Sequence, residues 1–282
     1  MKTRCMMIAG LVGLCGMAQA AFVTIGNAGN AADGTTGYGA VGYNYQISAT
    51  EVTIAEMQAA TGAGDGDENY WNTSGRTVGS NAPASYVSLY EARKYCNWLT
   101  TEDVNSGYYG NGGNNMSGLS HDAYAAANGL TYFLPTEDEW YKAAYFKTDA
   151  YSLYANGTDT VPTQGTTDGW NYYNSGYVNS SPNYTWTAGY GGVEQNGTYD
   201  MMGNVWEWME DSGGVFRGGG CNISEYYLRS SSRLDGRDPS DEGSSVGFRV
   251  VAIPEPASAM LVFFGAGVGM VIHRVRRSAL RR

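Results

Sequence analysis

From about Phe22 to Ala252 the chain is dominated by Gly, Asn, Ser, Thr and Tyr, with no linker, long charge run or tandem repeat. Residues of these types punctuate the backbone with turns and leave room for few long helices. The chain is therefore expected to form one α+β domain of short elements joined by long loops. Two stretches stand out as helical. In "SYVSLYEARKYCNWLT", Leu89, Ala92, Cys96 and Leu99 share one helical face, which places Cys96 in the core as a small hydrophobe. In "LPTEDEWYKAAYF", Thr136 and Glu139 have the spacing of a capping box, in which each side chain satisfies an end amide. Glu137 and Asp138 complement the positive end of that helix, so three consecutive acids need no catalytic explanation. "YNYQISATEVTIAEM" alternates into a strand before a short helix, and "SSVGFRVV" reads as a terminal strand.

Both ends carry export patterns. Met-Lys-Thr-Arg, an apolar run from Cys5 to Met17 and Ala18-Gln19-Ala20 have the anatomy of a secretory signal, read by a Sec translocon and covering residues 1–20. At the other end, Ala257 to Ile272 is apolar and uncharged, and Arg274, Arg276, Arg277, Arg281 and Arg282 follow it. Such a segment is marginal for a membrane span, and the arginines would hold its end in the cytoplasm. Pro254-Glu255-Pro256, the apolar run and the arginines together resemble the PEP-CTERM sorting signal, assigned to 253–282. That resemblance implies a Gram-negative bacterium, transient inner-membrane anchoring, cleavage by an exosortase, and release to the cell surface or exopolysaccharide. A plain membrane anchor is the alternative.

Of 17 basic residues, two lie in the signal and five in the tail, against one of 27 acidic residues, so the mature domain would carry about −16. Nucleic acid is excluded as a partner, because phosphate contacts need a basic face. Only Cys96 and Cys221 survive both cleavages, so no disulfide framework is available beyond a single Cys96–Cys221 bridge. His121, in "GLSHDAY", is then the one remaining histidine and reads as a polar loop residue.

Six segments in this order resemble the sulfatase-modifying-factor (formylglycine-generating enzyme) domain: "YQISATEVTIAEM", "ASYVSLYEARKYCNWL", "YFLPTEDEWYKAAYF", "YDMMGNVWEW", "FRGGG" and "LRSSSR…GFRVV". The resemblance spans nearly all of residues 21–252. It implies a C-type-lectin-like variant fold, α+β with low regular secondary structure.

The resemblance also implies a structural calcium on "YDMMGNVWEW", where Asp200, Gly203, Val205 and Glu207 match the ligand positions and Asp200 stands where Asn is frequent. The chemistry is apt, since Ca²⁺ takes six to eight oxygens from carboxylates and main-chain carbonyls. The alternative makes Trp206 and Trp208 core anchors and pairs Glu207 with an arginine such as Arg229 or Arg233. Asn171 and Tyr172 are the candidates for a second family calcium. "GDGDEN" offers Asp65, Asp67 and Asn69 but has Arg76 where an EF-hand closes with Glu, and reads as a solvated loop.

Members of the resembled family that are enzymes oxidise a sulfatase cysteine to formylglycine with O₂ and Cu(I) held by two cysteines. A soft monovalent ion wants such thiolates. Here Cys221 follows the glycines of "RGGGCNISEYYLRSSSR", and Glu225 and Tyr226 stand where a second thiolate would be needed. Cu(I) is therefore not expected. The reading is an exported, non-catalytic binding module whose loop presents Asn222, Glu225 and Tyr226 to a peptide or glycan. The Tyr, Asn, Ser and Gly content suits adaptable recognition. An active one-thiol oxidase using Cys221, and a structural matrix component, are the alternatives.

Overall fold

The computed structural model describes residues 21–60, 62–64, 79–165, 168–179, 184–211 and 213–254. The secretory segment, the positions Asp65, Asp67 and Asn69, and the tail from Glu255 onward lie outside them. Among the described residues no helix is long and apolar enough to cross a membrane.

Two small sheets organise the chain. In the first, β1 (Phe22–Ile25), β2 (Tyr45–Ser48), β8 (Val251–Ile253) and β4 (Thr131–Phe133) lie in the order β1-β2-β8-β4, every pair antiparallel. The two ends of the domain thus meet in one sheet. In the second, β5 (Trp206–Trp208) is flanked by antiparallel β6 (Phe216–Arg217) and parallel β7 (Val246–Gly247). A two-residue β3 (Asn115–Met116) stands apart from both. Trp206 and Trp208 are buried, as core anchors should be.

Among the described residues, four helices are six residues or longer: α1 (Ile54–Ala59), α2 (Leu89–Thr101), α3 (His121–Asn128) and α4 (Glu137–Tyr145). Three begin with complete capping boxes: Thr53 with Glu56, Ser88 with Glu91, and Thr136 with Glu139. Each box satisfies two end amides, so these helices have fixed starts in a chain otherwise rich in turns. The apolar spacing read for α2 is realised, with Leu89, Ala92 and Cys96 fully buried.

Two elements differ from expectation. "SSVGFRVV" is split into β7 and β8, and Arg249 between them turns its guanidinium into the core. There it donates to Glu207, to the carbonyls of Ser48 and Ala49 and to that of Tyr199. Residue His121 opens α3 instead of lying in a loop. Only His121 and Ala125 of that helix are buried, too few to make an apolar stripe in the sequence.

Buried charge joins these parts. Glu207 accepts from Arg249 through both oxygens, at 2.6 and 2.7 Å, and from Trp140 of α4 at 2.6 Å. Glu137 of α4 accepts from Arg217 of β6 and from Arg233. Glu139 of α4 faces His121 at 3.0 Å, and the opposite ring nitrogen lies 2.9 Å from Glu210. One helix thereby anchors strand β5, strand β6 and helix α3.

Breaking a buried ion pair by removing one partner costs about 3–5 kcal/mol, because the other charge stays buried alone. Glu207→Gln should therefore lower stability by that order in urea unfolding. The double variant Glu207→Gln/Arg249→Met should lose markedly less than the sum of the two single losses. Additive losses would show that the two side chains do not depend on each other.

Candidate functional site

The loop 219–229 and the described part of the loop 171–186 are brought together by Asn204. Its backbone lies in the left-handed region, φ +56, which Asn tolerates better than most residues. Its N–H donates to the Asn171 carbonyl at 2.8 Å, and its own carbonyl accepts from the Cys221 N–H at 2.9 Å. Its Oδ1 accepts from Asn171 Nδ2 and from the Trp186 N–H, and its Nδ2 donates to Glu51 Oε1. Gly203 just before it has φ +85, and a Cβ there would meet the Asn171 carbonyl oxygen at 2.3 Å, so only glycine lets the two backbones approach.

Cys221 is 1 % exposed and lies beneath its loop. Cys96 is fully buried in α2, and the two thiols are free of each other. Burial pushes the Cys96 thiol well above its ordinary range, which disfavours the thiolate needed for copper or nucleophilic chemistry. Further along the loop, Asn222 and Tyr226 are exposed and Glu225 is half-buried.

Asp200, Glu51, Glu194 and Glu207 are buried around Arg249. One guanidinium cannot offset four carboxylates in a dry interior. Burial therefore pushes Glu194 up to about 8 and Asp200 to about 6, and holds Glu51 well above the carboxylate range.

The oxygens proposed for calcium are occupied as follows. Asp200 accepts from Trp186 Nε1 at 2.9 Å and from the Gly189 N–H at 2.7 Å. Both Glu207 oxygens are taken by Arg249 and Trp140, so its arginine partner is neither Arg229 nor Arg233. Val205 is buried beside them. Each of these carboxylate oxygens already accepts from at least one donor, so calcium there would have to compete with Arg249, Trp140, Trp186 and Gly189. At the second position the Tyr172 carbonyl accepts from Gln164, while Asn171 Oδ1 is buried without a partner, as is Glu51 Oε2.

The expected outcome of adding millimolar Ca²⁺ against EGTA is an unchanged melting temperature. Ligand binding to the folded state alone raises stability by RT ln(1 + [L]/Kd). An upward shift would show that calcium takes Glu207 from Arg249.

Sequence reasoning passed over Asn204, Glu51, Arg249 and the structural importance of His121. Asn204 lies inside the quoted "YDMMGNVWEW", but an uncharged side chain in a loop gives no signal of its three hydrogen bonds. Burial opposes charge on His121, yet Glu139 and Glu210 on its two sides outweigh that and push it up to about 10. His121 in return holds Glu139 below its ordinary value.

Between about pH 6 and 8 these shifts set a pH dependence with one sign. His121, Glu194 and Asp200 all hold protons more tightly when folded, so stability falls as pH rises from their ordinary to their folded values. The contribution of His121 is complete below its ordinary 6.5 and is lost by about 10. Above about 8, Lys142, whose amine burial holds down to about 8, acts with the opposite sign. Urea midpoints should therefore fall between about pH 6 and 8, and His121→Gln should flatten the part above about 6.5. A midpoint that rises with pH over this range would contradict the buried charge arrangement.

The comparisons with known proteins agree with this architecture. The family described as "Sulfatase-modifying factor enzyme 1-like domain" matches residues 28–253. Among solved structures, Treponema denticola variable protein 1 is 26 % identical with a TM-score of 0.56, the match covering 83 % of this chain and 95 % of that one. CarF is 17 % identical with a TM-score of 0.57, covering 85 % and 100 %, a likeness of fold alone. PvdO from Pseudomonas aeruginosa is 21 % identical with a TM-score of 0.46, covering 83 % and 91 %. No curated protein is significantly similar. With its family matched across most of its length, and a mixed α+β fold low in regular structure to go with it, the chain belongs to the FGE-sulfatase, or sulfatase-modifying-factor, domain family.

Proposed function

We propose that this protein is an exported binding module, with the loops joined by Asn204 as its recognition face and without the copper-dependent oxidase activity of its family. The observation that carries the reading is the setting of Cys221. Its thiol is buried, and Glu225 and Tyr226 stand where a second thiolate would be needed. Cys96, the other cysteine of the mature domain, is enclosed in the core and cannot substitute.

The face is also held in place. Asn204 fixes the start of one loop through Cys221, and Ser232 Oγ donates to the Tyr226 carbonyl at 2.7 Å near its end. A loop ordered before contact loses less entropy on binding. Export is supported by the secretory segment, read by the Sec translocon. Release to the cell surface or exopolysaccharide is supported by the order of Pro-Glu-Pro, apolar run and arginines in the tail, the substrate pattern of an exosortase. The tail would anchor the chain in the inner membrane until it is cut. The ligand class this reading admits is a peptide or a glycan.

The decisive assay offers the protein a sulfatase-type cysteine peptide with Cu(I) and O₂, followed by mass spectrometry. The expected result is unmodified peptide. Formylglycine that disappears in Cys221→Ala would establish the oxidase instead. Protein released by its host and weighed intact should lack both the secretory segment and the tail, and a retained tail would make it a membrane-anchored protein.

A further inference from the structure

On the two loops joined by Asn204, every exposed large apolar side chain among the described residues is a tyrosine. Tyr226 is 55 % exposed, Tyr177 43 %, Tyr173 39 % and Tyr227 37 %. The loops meet where the Tyr173 N–H donates to the Ile223 carbonyl at 2.8 Å. Ring contacts run along each side: Tyr173 to Tyr177 at 5.1 Å and Tyr177 to Tyr184 at 4.2 Å, then Trp206 to Tyr227 at 5.9 Å and Tyr227 to Tyr226 at 5.4 Å. Trp206 is a core residue, so the second row is rooted in strand β5. Asn174, Ser175 and Asn222 of the same loops are also exposed.

One cation joins this face. The Arg229 guanidinium lies over the Tyr226 ring at 5.2 Å, and its Nε donates to Tyr154 Oη at 3.2 Å. Arg217, Arg233 and Arg249 are each paired with a carboxylate, whereas Arg229 has none within ion-pair distance among the described residues. Glu225 is near enough to act on it electrostatically but does not pair with it. The guanidinium is thus held by an aromatic face and a phenol, with donors left for a planar anion such as a carboxylate.

We propose that this tyrosine face binds a polysaccharide, with Arg229 receiving a carboxylate substituent on it. The inference rests on the binding-module reading and gives that module its ligand class. A sugar ring presents C–H groups on its faces and hydroxyls at its edge. A tyrosine meets both, with its ring against the C–H face and its hydroxyl at the rim. A protein partner's anchor residues instead fill well-packed, desolvated pockets. The aliphatic side chain that could line one here, Ile223, is half-buried and packs on the core. Charge selects the carboxylated class. Arg229, with no ion-pair carboxylate among the described residues, gives this face a local positive point on a chain that is acidic overall, net −10.

The test is affinity electrophoresis of the full-length protein in gels containing polygalacturonate, methyl-esterified polygalacturonate or dextran, with a displayed random peptide library as a parallel arm. Polygalacturonate should retard the protein, and Tyr177→Ala/Tyr226→Ala should weaken retardation at least about tenfold with an unchanged melting temperature. Tyr226→Phe, which keeps the ring, should retain most of it. Arg229→Gln should weaken binding to polygalacturonate and leave the weaker binding to its methyl ester unaltered. Absence of retardation in every polysaccharide overturns the proposal, as does retardation indifferent to the tyrosine substitutions. Capture of peptides alone by the same tyrosines would overturn the glycan assignment and leave the binding module standing. Loss of the module itself would be announced by the oxidase assay.

Discussion

The face of this protein depends on one asparagine. Asn204 uses its backbone N–H, its carbonyl, its Oδ1 and its Nδ2 to hold Asn171, Cys221, Trp186 and Glu51 at once. These partners come from the loops 171–186 and 219–229 and from the junction between β2 and α1. Aspartate in its place would lack the donor that meets Glu51 and would add a further buried charge. Leucine would leave Asn171, Trp186 and Glu51 with unmet polar groups. Asn204 meets all its own polar groups in this network, and such a junction favours one arrangement of its loops.

Beneath the face, buried charge works alongside a large apolar core. Helix α4 sends Glu137, Glu139 and Trp140 to three different parts of the fold, and each meets a buried partner. Glu139 closes its capping box and also faces His121. The carboxylates around Arg249 outnumber its charge, and the excess is relieved by bound protons, which ties the fold's stability to pH. Arg249 occupies both Glu207 oxygens, while Asp200 is met by Trp186 and Gly189.

How much of this was legible in the sequence varied with the physics involved. Helices α2 and α4 could be read, because apolar spacing and capping boxes are local signals. Cys96 followed from α2 and is buried as expected. The break at Arg249 could not be read, since "GFRVV" fits a strand whether its arginine points outward or into the core. His121 looked like a loop residue because its two carboxylate partners lie 18 and 89 positions away. The tyrosines are the hardest case. Tyr45, Tyr109, Tyr141, Tyr145, Tyr154 and Tyr172 are buried, whereas Tyr226 and Tyr177 are exposed, and no local pattern separates the two groups. Tyrosine's ring and hydroxyl suit both settings, so exposure follows from which loop carries it.

In this chain Asn204 and the Tyr173–Ile223 hydrogen bond tie the 219–229 loop to its neighbour, and a tied loop can carry recognition as readily as chemistry. With Cys221 enclosed, what faces solvent is Asn222 and a set of tyrosines. The most direct measurement is amide hydrogen exchange of the wild-type protein against Asn204→Ala. The account predicts that protection falls together at Trp186 and Cys221, with α2 and the four-stranded sheet unchanged. Protection retained in either loop, or lost evenly across the domain, would contradict the claim that Asn204 holds the two loops as one surface.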